Sequence, residues 1–342
     1  MQPYRPPSSG RGKKMRLDFN ENTVGCSPRV LQRMKKLTAA ELAVYPEYED
    51  ALPRFAAYFG VRRDQLTLTN GTDEAIQLVV NTYVSAGDPV VVLKPSYAMY
   101  RFYAQIAGAR VVEVDYPSDL SFPQEKLLRA AKARAKAIFV ANPNNPTGTL
   151  ASPRQLKELL ESAPKAVVMV DEAYFEFCGQ TALPWIRRYP NLFVSRTFSK
   201  AYGLAAMRCG CLFSDARNME RIRKGQSPYS VNTVAVACAL EAIRDTAYVK
   251  KYASEVVRAR RILCDELDRL GWPYFPSAAN FVLVNFGSAA QPIRRLLGEH
   301  KILVRDRGYE IPGSVRITVG TVAQTRQLIR VLRNFARARS VK

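Results

Sequence analysis

One histidine in 342 residues, His300, leaves almost no imidazole for chemistry. A Ser-His-Asp hydrolase would have to use it, yet it lies between Glu299 and Lys301, a surface context. Cys26, Cys178, Cys209, Cys211, Cys238 and Cys264 include no C-x-x-C pair, which argues against a zinc site. They read as reduced thiols of a cytoplasmic protein. No run approaches the roughly 20 apolar residues of a membrane span. Acid is scarce: 30 Asp and Glu against 51 Lys and Arg leave a net charge of +21. No zinc-finger, RNP-like or basic-zipper pattern accompanies that charge. The reading is therefore a basic enzyme whose field attracts anions, with neither a specific nucleic acid nor a membrane as partner.

What is present is an α/β pattern. Residues 1–16 carry Arg5, Arg11, Lys13, Lys14 and Arg16 among prolines, serines and glycines, and read as a flexible basic arm. From residue 72, helical spacings alternate with short β-branched runs. Helices are expected at 72–84, 99–107, 123–134 and 153–162, and strands at 90–93, 110–114, 137–141, 166–170 and 192–195. Such alternation implies a mostly parallel sheet covered on both faces. After residue 230 come two long helices, then a smaller α+β unit. The expected organisation is an arm (1–16), an N-terminal lid segment (17–30), a large domain (31–245) and a small C-terminal domain (246–342).

Ligands in open α/β sheets bind beyond the carboxyl ends of the strands. Four segments there deserve weighing. Asn144-Asn145-Pro146-Thr147-Gly148 alone is a turn. Asp171-Glu172-Ala173-Tyr174 could be a metal site, a base or a helix start. Ser199-Lys200 could be a solvated loop, and Asn70-Gly71-Thr72-Asp73 an ordinary helix cap. Together they suit something narrower. Gly71 and Thr72 open a helix whose free N–H groups can hold a phosphate. Thr197, Ser199 and Arg208 can add hydroxyls and a guanidinium. Asp171 can hold a ring nitrogen protonated, Asn145 and Tyr174 can address a phenolate, and Lys200 can form a Schiff base. Pyridoxal 5′-phosphate requires this set, and no metal.

These motifs, with Asp18-Phe19-Asn20-Glu21-Asn22, Tyr45-Pro46-Glu47 and Val315-Arg316-Ile317-Thr318-Val319-Gly320, resemble the fold-type-I class I/II aminotransferases, and among them the histidinol-phosphate aminotransferases. The resemblance covers about residues 17–335. It implies a three-layer α/β fold with a small α+β C-terminal domain. It implies that Lys200 binds the cofactor and shuttles the proton, with Asp171 and Tyr174 as its catalytic companions. Tyr97 would stack on the ring, while Gly71, Thr72, Asp73, Thr197, Ser199 and Arg208 would surround the phosphate. Tyr45 would reach the partner subunit's cofactor in a homodimer. Asn20, Arg305 and Arg316 would bind substrate. The implied reaction passes the amino group of histidinol phosphate to 2-oxoglutarate in histidine biosynthesis, with an aromatic-amino-acid aminotransferase as the alternative. Thr23 stands where the family usually has proline after Asn-Glu-Asn.

Overall fold

The computed structural model describes residues 10–340. Its strands are β1 (Met15–Leu17), β2 (Leu66–Thr69), β3 (Pro89–Lys94), β4 (Arg110–Asp115), β5 (Ala137–Ala141), β6 (Val167–Asp171), β7 (Leu192–Thr197), β8 (Gly210–Phe213), β9 (Tyr274–Phe275), β10 (Phe281–Asn285), β11 (Ile302–Asp306) and β12 (Ser314–Thr318). Seven form one sheet in the order β2-β8-β7-β6-β5-β3-β4. From β7 through β4 every pairing is parallel, and β8 and β2 add antiparallel neighbours.

The central strands are apolar throughout because both of their faces are covered. Alternation still decides which helix each side chain meets. Phe139, Met169 and Phe193 face one layer, packing with Ile76, Val79 and Val80 of the Gly71–Tyr83 helix and with Met219 and Ile222 of the Ala216–Gly225 helix. Ile138, Val140, Val168, Val170 and Val194 face the other, against Leu127, Leu156, Leu159, Leu160 and Ala239. The Pro153–Ser162 helix shows how local sequence sets an element. Ser152 caps it by accepting from the Gln155 N–H, Gln155 reaches back to the cap, and Pro153 occupies the first turn.

The second sheet runs β1-β11-β12-β10-β9. It draws on both ends of the chain, because β1 lies parallel to β11 with Leu17 beside Val304. This corrects the expected arm at its C-terminal end. Residues 15 and 16 belong to a strand, and Arg11 is ion-paired at 2.8 Å to both Asp18 and Glu21. Residues 1–9 of that arm, Arg5 included, lie outside the described residues. The segment 18–27 is tied across the molecule: the Asn22 amide donates to the Ala201 carbonyl at 2.9 Å, and the Tyr252 hydroxyl accepts from the Thr23 N–H. No helix among the described residues is long and apolar enough to cross a membrane.

Candidate active site

A cleft of about 540 Å³ opens beyond the carboxyl ends of β5, β6 and β7. The N-terminus of the Gly71–Tyr83 helix closes one end, and residues of β11 and β12 line the other. Such a volume is ordinary for a small-molecule site.

Asp171, the last residue of β6, is buried at the bottom. Its Oδ2 accepts from the Tyr100 hydroxyl at 2.7 Å. Its Oδ1 accepts from the Ser195 hydroxyl at 2.9 Å and the Ala173 N–H at 3.2 Å. Burial pushes the carboxyl up to about 6, and these three donors oppose the shift. A cation bound against it would favour the carboxylate. Lys200 follows β7, and its Nζ donates to the Phe19 carbonyl at 3.2 Å. Burial, and then the charge of Arg316, push this amine down to about 8. Tyr97 lies above the floor, its hydroxyl donating to Asp73 Oδ1 at 2.7 Å.

At the helix end, Asn70 makes no side-chain cap, so first-turn N–H groups have no side-chain acceptor there. The Thr72 hydroxyl is buried without a partner. Arg208 leans over this turn, donating to Ser199 Oγ at 3.4 Å and to Asp73 Oδ2 at 3.3 Å. Thr197 Oγ1 accepts from the Ser199 N–H at 3.1 Å. Gly71 has a φ of +71°, and a Cβ there would lie 2.5 Å from Arg208 Nη2. The orphaned hydroxyl, uncapped helix end and adjacent guanidinium make an anion cradle. With Lys200 and Asp171 in the same cleft, the residues present fit pyridoxal 5′-phosphate.

The opposite wall is cationic. Arg305 of β11 and Arg316 of β12 are cross-strand partners, and both line the cleft. Arg316 is buried, donates to the Asp18 carbonyl at 2.7 Å and to Asn145 Oδ1, and has a buried Nε–H without an acceptor. Arg305 sits 5.5 Å from the centre of the Phe19 ring. Its chain neighbour Asp306 is ion-paired instead to Arg294, at 2.6 Å.

Two expected residues are placed less simply. Asn20 lines the cleft at a φ of +56°, but its polar groups are held within the protein. Its side chain donates to the Tyr174 hydroxyl at 2.9 Å and accepts from Thr318 Oγ1 at 3.1 Å. Tyr45 is 73% exposed and stacked on Tyr229, outside the cleft of its own chain. Sequence reasoning missed Tyr100, Ser195, Phe19, Arg307 and Glu310. Tyr100 lies three residues after Tyr97, and the two rings meet edge to face with centroids 5.6 Å apart.

A family model described as "Aminotransferase class I and II" matches residues 12–332. A histidinol-phosphate aminotransferase of Geobacillus is 35% identical, over 97% of this chain and 95% of that one. Another, from Caldanaerobacter subterraneus, is 34% identical over 94% and 93%. The crystal structure of the Sinorhizobium meliloti histidinol-phosphate aminotransferase in complex with pyridoxal 5′-phosphate superposes with a TM-score of 0.87 at 28% identity, covering 95% of this chain and 91% of that chain.

Proposed function

The chain belongs to the class I and II aminotransferases, and we propose that within them it transfers the amino group of L-histidinol phosphate to 2-oxoglutarate, giving imidazole acetol phosphate and glutamate. The observation that carries this reading is the register pair Arg305–Arg316, two guanidiniums facing one cleft from adjacent strands. One arginine suffices for a carboxylate, whereas a phosphate dianion offers oxygens and charge enough for two. Relatives of that name across nearly the full chain support it. That product belongs to histidine biosynthesis, and the compartment proposed for the enzyme is the cytoplasm.

Pyridoxal 5′-phosphate, when bound, supplies an aldehyde for amine attachment and a cationic ring that accepts electrons from the substrate's Cα. The protein's residues divide the remaining work. Asp171, oriented by Tyr100 and Ser195, holds the proton on the ring nitrogen. Lys200 Nζ, with its affinity for a proton lowered by burial, takes the Cα proton and returns it to the carbon on the far side of the amine nitrogen. Tyr174 and Asn145 address the ring hydroxyl, and Tyr97 stacks on the ring. Thr72, Ser199 and Arg208, with the N–H groups of residues 71–73 and with Thr197, hold the phosphate. Asn20 acts by orienting Tyr174. Residues 31–245 thereby carry the cofactor, while residues 246–342 bring the arginines. Tyr45 completes the site of a second subunit in a homodimer.

The test offers the purified enzyme histidinol phosphate or phenylalanine, each with 2-oxoglutarate. Arg305→Ala should weaken histidinol phosphate much more than phenylalanine. If wild type prefers phenylalanine, or both donors suffer equally, the aromatic aminotransferase takes the place of this reading.

A further inference from the structure

The cationic wall holds a third arginine that the reading above does not use. Arg307 lies two residues beyond Arg305, just past the end of β11, and lines the cleft with Arg305 and Arg316. The three are not equivalent. Among the described residues, no carboxylate stands within ion-pair distance of Arg305 or Arg316. Arg307 has one: its Nη1 donates to Glu310 Oε2 at 2.8 Å and to the Tyr309 hydroxyl at 2.6 Å. A tight turn makes this pairing local, because the N–H groups of Glu310 and Ile311 both donate to the Arg307 carbonyl at 2.9 Å. The Arg307 Nε–H is buried and has no acceptor. The guanidinium is therefore only partly satisfied where it stands. The other carboxylate lining this end of the cleft, Glu21, is engaged by Arg11 at 2.8 Å.

We propose that Arg307 is a third guanidinium for the substrate phosphate, and that Glu310 is the counter-ion which that phosphate displaces. This rests on the phosphate-substrate reading above. An aminotransferase must accept two different amino compounds in one cleft. In glutamate, a carboxylate is bonded directly to the carbon that bears the amine. In histidinol phosphate, a methylene and an ester oxygen come between that carbon and the phosphorus. The phosphate thus reaches further, is doubly charged and presents three terminal oxygens. Arg316, buried in β12, meets either acid group, while Arg307, on the turn that follows β11, meets only the longer one. When glutamate occupies the cleft, Glu310 keeps Arg307 compensated, which avoids a desolvated cation without a partner. When the phosphate arrives, the orphaned Nε–H and the released Nη1–H both gain acceptors.

The experiment measures KM for histidinol phosphate, KM for glutamate and the inhibition constant of inorganic phosphate on the holoenzyme. The variants are Arg307→Gln, Arg307→Lys, Glu310→Gln and the Arg307→Gln/Glu310→Gln double. Arg307→Gln should raise the histidinol-phosphate KM and the phosphate inhibition constant about tenfold or more, the scale of a lost charged hydrogen bond. The glutamate KM should move much less, and Arg307→Lys should fall between. Glu310→Gln should lower the phosphate inhibition constant several-fold, a gain that vanishes in the Arg307→Gln background because the two act as one unit. Equal effects of Arg307→Gln on both donors, or a Glu310→Gln gain that survives without Arg307, overturn the proposal. A wild type that does not use histidinol phosphate overturns the substrate reading instead, and that result is separate from an active wild type indifferent to Arg307.

Discussion

Tyr100 donates its hydroxyl to Asp171 Oδ2 at 2.7 Å from a position with 1% of its surface exposed. A buried phenol thus serves a buried carboxylate, and neither reaches bulk water. Burial penalises the charged form of Asp171 more than Tyr100, Ser195 and the Ala173 N–H favour it. The ligand-free protein therefore holds an anion at a cost that only a cation in the cleft offsets.

The first prediction follows from that imbalance. Raising a carboxyl from 3.8 to about 6 makes the folded state lose stability as pH rises from about 4 through 6. The shift corresponds to about 3 kcal/mol at most. Asp171→Asn carries no charge and escapes the loss. Without cofactor it should be more stable than wild type by about 1–3 kcal/mol at pH 7, with the difference closing below pH 4. With cofactor it should lose activity by several orders of magnitude. Urea unfolding of both apoproteins at pH 4 and 7 tests this, and an Asn variant less stable at pH 7 contradicts it.

Lys200 supplies the second. Its amine titrates at about 8 rather than at the ordinary 10.5, so the neutral, nucleophilic form is present from pH 8 upward. The rate of cofactor capture by apoprotein, followed by absorbance, should rise with pH to a plateau with a midpoint near 8. Lys200→Ala should lose both transamination and the borohydride-reducible adduct. A midpoint near that of an exposed lysine, or an adduct retained on another residue, would remove Lys200 from the role.

The large sheet was legible because its strands are unbroken apolar runs between helices of regular spacing. Ala137–Ala141 and Pro153–Ser162 match their expected limits. Before residue 70, motifs and an arm were legible, but no helix or strand limits. Its strand Met15–Leu17 is three residues of mixed polarity, and it exists because β11 offers an edge. Periodicity cannot register a strand that short, since the partner lies almost 300 residues away. The same limit hid the supports of the site. Ser195 sits in an apolar strand and shows its purpose only when β6 and β7 are paired, with Asp171 opposite it. Arg307 was indistinguishable from many surface arginines until the turn through Glu310 aimed it into the cleft.

The third prediction concerns the anion cradle. Thr72→Val removes a hydroxyl that has no partner inside the protein, so the fold should tolerate it. Pyridoxal 5′-phosphate affinity should fall about tenfold, the worth of one hydrogen bond to a charged group. Gly71→Ala should do more harm, since its Cβ would collide with Arg208 Nη2 and its φ of +71° disfavours a side chain. Equilibrium dialysis measures both. A Thr72→Val variant that binds the cofactor as wild type does would place the phosphate elsewhere.

The fourth concerns Tyr45 and the second subunit. Its ring is 73% exposed and stacks 4.4 Å from Tyr229, itself 52% exposed. Nearby Leu42 and Val44 are also exposed, and the helix Ala39–Ala43 has no buried residue. The Thr38–Glu41 capping box nevertheless gives this helix a defined start. An apolar segment with ordered ends and no core of its own suits a surface covered by another subunit. If Tyr45 serves the partner's cofactor phosphate, each site takes Lys200 from one chain and Tyr45 from the other. Tyr45→Ala should then weaken cofactor binding by about 10- to 100-fold, as for one lost hydrogen bond to a charged group. The sharper check is complementation between Tyr45→Ala and Lys200→Ala, assayed at a cofactor concentration that leaves Tyr45→Ala unsaturated. In the mixed dimer, one site receives Lys200 from the first variant and Tyr45 from the second, and is wholly wild type. The other site carries both lesions. Random exchange makes half the dimers mixed, so activity should recover to about a quarter of wild type. If Tyr45 served its own chain, every site in the mixture would keep one lesion, and mixing would restore nothing.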